Sequence, residues 1–409
     1  MKTRTLAKLI VFGGTALACL GFLELGIRIC CRHDEDGNYV FRLTRLKPYH
    51  LTIKKSKQII AEYLARKDSA LIYDRDIGWN QRPNLPKNHH NAGGFVTSSG
   101  EETSRELPTD RMRIGVFGGS YTEGTFGKDP EESFKKGWWH VLEESLNKDG
   151  VKTEVLNFGV AAYGMDQAYL RWKKDGAPFH PHVVIFGFTA GNCRDNINMV
   201  RIVRDLETAV PFTKPRFLVK NGELDPVLLN SPTPSPAELP DFFDHLTTSP
   251  LLANEPLYHA PDFQMTFWRH SKLLALAEGK MAASREKRGL ADFYRLGGEP
   301  AEVALGIMRC FKRDAERSGS TFYIAHLPNY IELEYVRAHG KFPYQGMLDE
   351  IDKIAPTIHT EQALSAACAG GPAERLFVDG HYGEQLQAVV GHEIANFVAK
   401  HADTSHNKP

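Results

Sequence analysis

Hydrophobic and polar positions follow two alternating periods through the middle of this chain. Short apolar runs, typical of buried strands, are followed by segments in which apolar residues recur every three or four positions, as on one helix face. The run "VVIFGF" is continuously apolar, as strands buried on both faces are. The predicted strands are 112–119, 153–160, 182–188 and 321–328, and the predicted helices are 133–150, 166–176 and 302–319.

The order strand, helix, strand, helix, strand predicts an α/β fold with a parallel sheet and right-handed crossovers. The rhythm is interrupted by a hairpin pattern around Asn221-Gly222, a proline-rich linker at 231–243 and a long helical pattern at 262–288. We therefore expect a catalytic-type domain made of 111–200 and 300–402, with 201–299 as an insertion lying over the sheet.

The N-terminus has a different pattern, because Leu9–Cys31 is apolar apart from Glu24 and Arg28 and follows three basic residues. About 18 or more apolar residues suffice to span a bilayer. A basic leader stays in the cytoplasm, so the remainder would be exported. A cleaved signal peptide, or a lipoprotein site at Cys19, are the alternatives. We favour an uncleaved signal anchor over 1–33, followed by a juxtamembrane segment over 34–110.

The composition of the chain argues against a nucleic-acid-binding or metal-binding protein. The chain has 409 residues, enough for one enlarged domain or two. Its 50 basic and 50 acidic residues cancel, so no global field would attract nucleic acid, and we expect no nucleic-acid partner. Its six cysteines are scattered without metal-ligand spacing, so we assign no disulfide and expect neither a metal nor a cofactor.

Polar residues follow four of the predicted strands. In an open parallel sheet, ligands bind outside the carboxyl ends of the strands. Ser120 follows the first strand, Gly159 the second and Asn192 the third, while Asp379 and His381 follow the last. Each residue alone is more often an ordinary turn or surface residue, but together they make a possible site.

Acyl transfer to serine needs these residue types. A serine hydroxyl is a poor nucleophile until a base takes its proton, and His381 is the candidate base. Asp379 would orient the imidazole and stabilise its charged form, because two positions apart on an extended segment share one face. The Ser120 amide, the Gly159 amide and the Asn192 side chain would donate to the oxyanion.

The same residues resemble the SGNH hydrolases, also called the GDSL-like esterase superfamily. The resemblance covers about 112–398, and its four blocks occur in the family's order. Ser120 lies in "GGSYTEG", Gly159 in "LNFGVAAYGMDQ", Asn192 in "GFTAGNCRDN", and Asp379 with His381 in "VDGHYGEQLQAVVG".

This resemblance implies a three-layer α/β/α sandwich of flavodoxin-like type with a central parallel sheet. It also implies a serine esterase or O-acyltransferase without a cofactor, acting on acetylated envelope carbohydrate, small esters or lipids. The strings "LELGIR" and "GWNQRPN" resemble a membrane-anchored bacterial branch, which would place the domain in the periplasm or on the outer face.

The sequence departs from the family pattern at three places. Gly119 and Cys193 stand where the family has aspartates, with Asp195 a possible substitute for the second, and Asp379 and His381 are two apart instead of three. An inactive protein of the same fold, binding glycan or supporting envelope assembly, is therefore the alternative function. The insertion's aromatic residues would cap the site or belong to the core; they are Tyr258, Phe263, Phe267 and Trp268.

Overall fold

The computed structural model describes residues 2–51, 53–100, 102–125, 127, 130–204, 208, 210–220, 227–229 and 233–405. Its helices are α1 Lys2–Cys30, α2 Ile53–Ala65, α3 Ser120–Glu123, α4 Pro130–Lys136, α5 Trp138–Lys148, α6 Met165–Arg171, α7 Asn192–Asp195, α8 Arg201–Arg204, α9 Leu239–Asp244, α10 Lys272–Gly289, α11 Glu299–Arg317, α12 Tyr330–His339, α13 Gln345–Ile354, α14 Glu361–Ala367 and α15 Glu384–Ser405.

The strands are short, and most lie in one sheet or in small hairpins. They are β1 Arg32–His33, β2 Tyr39–Phe41, β3 Thr44–Arg45, β4 Leu71–Asp74, β5 Gly78–Gln81, β6 Val96–Thr97, β7 Met112–Phe117, β8 Thr153–Asn157, β9 Val183–Phe188, β10 Arg216–Leu218, β11 Val227–Leu229, β12 Thr321–His326, β13 Thr357–His359, β14 Phe377–Val378 and β15 His381–Tyr382.

The central sheet has the order β13-β12-β9-β7-β8-β6. The pairs from β13 to β8 are all parallel, as predicted, while β6 joins β8 antiparallel from the juxtamembrane segment. In chain order the parallel strands lie as 2-1-3-4-5, the flavodoxin-like arrangement. The predicted α/β/α fold class is therefore confirmed, with one antiparallel edge strand that makes the sheet mixed.

Strand β9 shows why the sheet has helices on both faces. All six of its residues are buried. Val184 and Phe186 face a core completed by α6, α11 and α13, while Val183 and Ile185 face a core completed by α5, α14 and α15. A strand that is apolar on both faces needs two helical layers to exclude water.

Two further clusters join the insertion to the N-terminal part of the chain. Trp79 and Ile60, from the juxtamembrane segment, pack with Phe212 and Phe243, which follow β9. The two ends of the predicted insertion hairpin, β10 and β11, pair antiparallel, and its predicted turn at 221–222 lies outside the described residues. The long helical pattern gives an α-helix only from Lys272, because the chain before it forms short 3-10 turns.

Helix α1 is long and apolar enough over Val11–Cys30 to cross a membrane, judged by length and composition. Near its end, Ile27 is buried against Leu46, Ala275 and Leu276. The apolar helix therefore also contacts the folded part of the chain.

Candidate active site

Ser120 is the first residue of α3, directly after the turn that ends β7. Position 118 in this turn must be glycine, because neighbouring atoms leave no space for a side chain. A Cβ at Gly118 would lie 2.0 Å from Thr122 Oγ1 and 2.9 Å from the carbonyl oxygen of Gly187, on the neighbouring strand β9. Thr122 is fully buried between these two glycines, so the helix that carries the serine is held tightly against the sheet.

The structure brings His381 to Ser120. The imidazole Nε2 lies 2.7 Å from Ser120 Oγ, although the two residues are 261 positions apart in the chain. This is the distance at which a base can take a hydroxyl proton. His381 lies in the β14–β15 hairpin, a separate two-stranded sheet and not a last strand of the central sheet as the sequence predicted, and this hairpin lies beside the turn that ends β7.

Asp379 does not have the extended conformation that the sequence interpretation assumed. Val378 pairs with His381 across a two-residue turn, and Asp379 and Gly380 have φ values of +49° and +79°. Two positive φ angles are the mark of a type I′ hairpin turn, for which Asp-Gly is a preferred pair. The carboxylate therefore lies at an exposed turn, and the main-chain carbonyl of Asp379, 3.0 Å from His381 Nδ1, accepts the imidazole hydrogen bond.

The environment of His381 favours the neutral imidazole. Burial lowers the pKa of His381 below its ordinary value, and the carbonyl and charge of Asp379 offset this only in part. A neutral ring with its Nδ1 hydrogen donated to a carbonyl leaves Nε2 free to accept the serine proton.

Tyr121 joins the serine helix to the histidine hairpin, a role that the sequence did not indicate. Its hydroxyl donates to the carbonyl oxygen of Gly380 at 2.6 Å. Its ring centroid lies 5.1 Å from that of His381 and 5.0 Å from that of Tyr382. One side chain next to the nucleophile thus contacts the turn, the base and the residue after the base.

Asn192 lies beside the serine turn. A Cβ built on Gly119 would be 3.7 Å from Asn192 Nδ2, so the amide borders the position directly before Ser120. One amide hydrogen is donated to the carbonyl oxygen of Tyr163 at 3.0 Å, and Asn192 Oδ1 accepts from Thr189 Oγ1 at 2.7 Å. These contacts fix the amide plane, and the second amide hydrogen has no acceptor among the residues that the structure describes.

Gly159 is not free to act as the predicted oxyanion donor in this conformation. Its single amide hydrogen is donated to Asn157 Oδ1 at 2.8 Å. The glycine is needed for packing instead, because a Cβ would lie 2.3 Å from the amide nitrogen of Glu123 and 2.6 Å from the carbonyl carbon of Thr122. Gly159 therefore allows the β8 loop to touch the helix that carries Ser120.

The "GWNQ" strand of the juxtamembrane segment supports the loops of the site. Gln81 Nε2 donates to the carbonyl oxygen of Gly159 at 2.9 Å and to Glu123 Oε1 at 3.0 Å. The carbonyl oxygen of Trp79 accepts from the Tyr163 hydroxyl at 2.6 Å. The available sequence signal was the string "GWNQRPN", in which Gln81 follows Trp79 by two residues.

Cys193, which stands where the family has an aspartate, and Asp195, its possible substitute, have different surroundings. Cys193 is buried, with its Sγ 3.7 Å from Met347 Sδ, and burial raises the pKa of its thiol well above the ordinary value. Asp195 does not replace the missing loop carboxylate, because it is engaged by Arg201 and Arg204 at 3.0 and 2.9 Å. Thr189 and Tyr163, which bond to Asn192, hold this loop instead.

The insertion's aromatic residues divide into two groups. Tyr258 and Phe263 stack on each other at 5.0 Å against the cluster around Trp79. Phe267 and Trp268 lie beside α1, and Phe267 is 90% exposed.

Among the described residues, the one group of three with metal-ligand geometry lies at the ends of β12 and β13, not among the residues around Ser120.

The chain is similar in structure to several solved esterases and lipases. A protein of Parabacteroides merdae described as a GDSL-like lipase shares 12% identity, with 72% of this chain and 99% of that chain covered and a TM-score of 0.35. A lipase/acylhydrolase of Enterococcus faecalis shares 12%, covering 71% and 96%, with a TM-score of 0.34. An acetylxylan esterase of Geobacillus stearothermophilus shares 10%, covering 71% and 95%, with a TM-score of 0.35.

No protein-family model and no curated protein sequence matches the chain. The Parabacteroides merdae protein is described by the GDSL name of the superfamily that the sequence blocks resemble. At these identities and TM-scores the likeness carries no argument about the reaction, which depends on the geometry around Ser120.

Proposed function

We propose that this chain is a membrane-anchored serine esterase or O-acyltransferase with Ser120 as nucleophile. The observation that carries the proposal is the 2.7 Å contact between His381 Nε2 and Ser120 Oγ. Two side chains so far apart in sequence meet in hydrogen-bond geometry at the edge of the sheet where ligands bind.

The reaction follows from this contact. His381 Nε2 takes the hydroxyl proton as Ser120 Oγ attacks the ester carbonyl, and a tetrahedral oxyanion forms. The imidazolium then gives its proton to the leaving alkoxide, so the C–O bond of the ester breaks and an acyl-serine remains. A water or sugar hydroxyl, deprotonated by the same nitrogen, attacks the acyl group and releases Ser120.

The oxyanion would be bound by the Ser120 amide and the second hydrogen of the Asn192 amide. Ser120 opens a helix, and the first amides of a helix have no partner within it. The Gly159 amide would join them only by leaving Asn157 Oδ1. Loss of one oxyanion donor typically costs about 3 kcal/mol of transition-state stabilisation, so this exchange matters for rate.

The carbonyl of Asp379 holds the imidazole tautomer that the reaction needs. Its carboxylate would act through its charge, which favours the imidazolium formed during attack. We therefore keep Asp379 in the proposed triad, with the main chain supplying orientation and the side chain supplying charge.

For the substrate we propose an O-acylated carbohydrate of the cell envelope, as the family resemblance implies. The partly buried serine–histidine pair can accept an ester whose carbonyl reaches Ser120 Oγ. Transfer differs from hydrolysis only in the hydroxyl that attacks the acyl-serine.

Labelling with a fluorophosphonate tests the proposal. The full chain should be modified at Ser120, Ser120→Ala should abolish labelling, and His381→Ala should reduce its rate at least about 100-fold, the usual size of a general-base contribution. Ser365→Ala on α14 is the matched serine control and should label like the native chain. A folded protein that resists labelling would refute the enzyme proposal.

A second candidate is an inactive protein of the same fold that binds glycan. The occupied Gly159 amide and the exposed Asp379 carboxylate favour it, because an efficient site keeps both for the transition state. Glycan binding without labelling or ester hydrolysis would support this candidate.

We further propose that α1 is retained as a signal anchor. Glu24 accepts hydrogen bonds from the amides of Lys272 and Leu273 and from Ser271 Oγ, so it caps the start of α10. Arg28 pairs with Glu24 at 2.6 Å. Both charged residues of the apolar helix therefore serve a contact with α10 that cleavage beyond Arg28 would remove, whereas cleavage at Cys19 would leave it in place.

An apolar surface beside this contact fits the same proposal. Phe267 is 90% exposed and Met265 57% exposed, and Trp268 lines a depression shared with Leu20 and Gly21 of α1. Aromatic residues at this level of a spanning helix typically lie in the membrane–water interface. We propose that this surface lies in the outer leaflet, with the basic leader in the cytoplasm and the domain outside.

Recovery of the protein from bacterial membranes tests the anchor. Its N-terminal sequence should begin before Leu9, it should resist alkaline extraction, and protease added to spheroplasts should digest the domain. A chain starting at or after Cys19 would refute retention of the anchor without affecting the esterase proposal.

A further inference from the structure

Two histidines lie side by side at the carboxyl edge of the sheet. His326 ends β12 and His359 ends β13, and the two are register partners in this parallel pair. Glu361, two residues later, begins α14. Neither the sequence blocks nor the proposed esterase reaction uses these three side chains.

The ring nitrogens of both histidines point to the same carboxylate. His326 Nδ1 lies 3.0 Å from Glu361 Oε2, and His359 Nδ1 lies 2.9 Å from Glu361 Oε1. The ligand atoms of the three side chains all lie within 4.8 Å of one another. Tetrahedral zinc with ligands at about 2.0–2.1 Å places neighbouring ligand atoms roughly 3.3 Å apart, so only small movements separate this cluster from a metal centre.

The opposite ring nitrogens are also engaged. His326 Nε2 lies 3.1 Å from the Tyr344 hydroxyl, and His359 Nε2 lies 3.2 Å from Asp352 Oδ1. Metal-bound histidines almost always use their second nitrogen in this way, which fixes the ring and its tautomer. Here both histidines present Nδ1 to the centre and hold Nε2 in an outer hydrogen bond.

Burial differs among the three residues in a way that suits an open metal site. The side chain of His326 is fully buried, that of Glu361 is 18% exposed and that of His359 is 39% exposed. The cluster is therefore anchored from within and reached by solvent from one side, where water can fill the fourth position.

We propose that His326, His359 and Glu361 form a binding site for a divalent transition metal, with Zn²⁺ as the best match. Two imidazoles and one carboxylate suit zinc and its neighbours, whereas Ca²⁺ and Mg²⁺ prefer oxygen ligands alone. On binding, each imidazole coordinates through Nδ1 as the neutral ring and carries its hydrogen on Nε2, and a proton passes to solvent only from a ring that was protonated on both nitrogens. The product is a cross-link between the ends of β12 and β13 and the start of α14.

This cross-link lies next to the framework of the active site without touching the nucleophile. Asn329, three residues after His326, is the N-cap of helix α12. Between them, the carbonyl oxygen of Pro328 accepts a hydrogen bond from the Tyr382 hydroxyl at 2.7 Å. Tyr382 follows the base His381. The metal would therefore stabilise the edge of the sheet that carries the base.

Zinc titration of the full chain in detergent, after removal of metals with a chelator, tests the site. Calorimetry should show one zinc site in the native protein, and this site should be lost in His359→Ala. His359 is chosen because it is the most exposed of the three ligands, so its removal should have little effect on folding. Asp352→Asn should bind about 10–100-fold more weakly, as outer partners of metal-bound histidines do. His339→Ala, an exposed histidine on α12, is the matched control and should bind like the native chain.

Thermal melting of the same four proteins gives a second measurement. Zn²⁺ should raise the melting temperature of the native protein and of His339→Ala but not that of His359→Ala. A folded native protein that binds zinc no better than His359→Ala would overturn the proposal and assign the cluster to hydrogen bonding alone. Residual zinc binding at cysteines near α1 would be common to all four proteins and cancels in the comparison.

Discussion

Tyr121→Phe is the sharpest test of how the site is held together. The change removes one hydroxyl, whose hydrogen bond to the carbonyl oxygen of Gly380 is 2.6 Å long. The aromatic ring remains, so its contacts with His381 and Tyr382 at 5.1 and 5.0 Å are preserved. The variant therefore isolates the hydrogen bond that joins the serine helix to the hairpin turn.

The size of the effect follows from that bond. A typical intramolecular hydrogen bond contributes about 0.5–1.5 kcal/mol to stability. Gly380 is exposed, so its carbonyl can accept from water in the variant, and we expect the free energy of unfolding to fall by about 1 kcal/mol. An increase of about 1.4 kcal/mol in the activation free energy slows a reaction tenfold. We therefore expect the labelling rate to decrease about three- to tenfold.

The assay combines urea unfolding with the second-order rate of fluorophosphonate labelling from pH 5 to 8. The midpoint of the pH profile should not move, because the Tyr121 hydroxyl does not contact either imidazole nitrogen. Tyr330→Phe is the matched control, because its ring meets that of Phe377 of the same hairpin edge-on at 5.6 Å, and its hydroxyl makes no hydrogen bond among the described residues.

Two outcomes would refute this reasoning. If Tyr121→Phe lost stability but reacted at the native rate, the hydrogen bond would support the fold without positioning the base. If Tyr330→Phe slowed the reaction as much, loss of a tyrosine hydroxyl near the hairpin, and not the bond to Gly380 in particular, would account for the effect.

Three further predictions follow from the same site. Since burial lowers the pKa of His381 and only the neutral ring acts as base, the labelling rate should rise with pH through a midpoint below 6.5, and a midpoint above 7 would contradict this. Asp379→Asn keeps the carbonyl and tolerates the turn, so its labelling rate should fall far less than that of His381→Ala, by under about tenfold. Gly159→Ala places a Cβ 2.3 Å from the Glu123 amide nitrogen and should lower the free energy of unfolding, measured in urea, by about 3 kcal/mol. The control is Gly150→Ala, because Gly150 has a left-handed backbone but a Cβ there meets no atom within 4 Å, so this variant measures backbone strain without a steric clash.

The sequence predicts the sheet because it depends on regular features, whereas it predicts the meeting of Ser120 with His381 only through the family-like blocks, since His381 lies in a hairpin outside that sheet. Apolar runs and amphipathic periods predict alternating strands and helices. Right-handed crossovers then place the loops that follow the parallel strands at the same edge of the sheet. The edge strands are harder, since β13 has three residues and β6 two, too few for a period to be visible.

The finer features of the site depend on single hydrogen bonds and turns. Asp379-Gly380 was interpreted as part of a catalytic segment, although Asp-Gly between two strand residues also predicts a type I′ turn. The engagement of the Gly159 amide depends on the rotamer of Asn157, which no pattern encodes. The support from Gln81 arises because a distant segment folds back onto the β8 loop.

The chain length between the nucleophile and its base has a consequence for export. Ser120 lies in an early strand–turn unit, whereas His381 belongs to the last hairpin, 261 positions later. A chain still being synthesised would carry an unactivated Ser120 hydroxyl, since its base His381 belongs to the last hairpin to be made. If the domain is exported as proposed, the pair would assemble only after translocation, away from cytoplasmic esters.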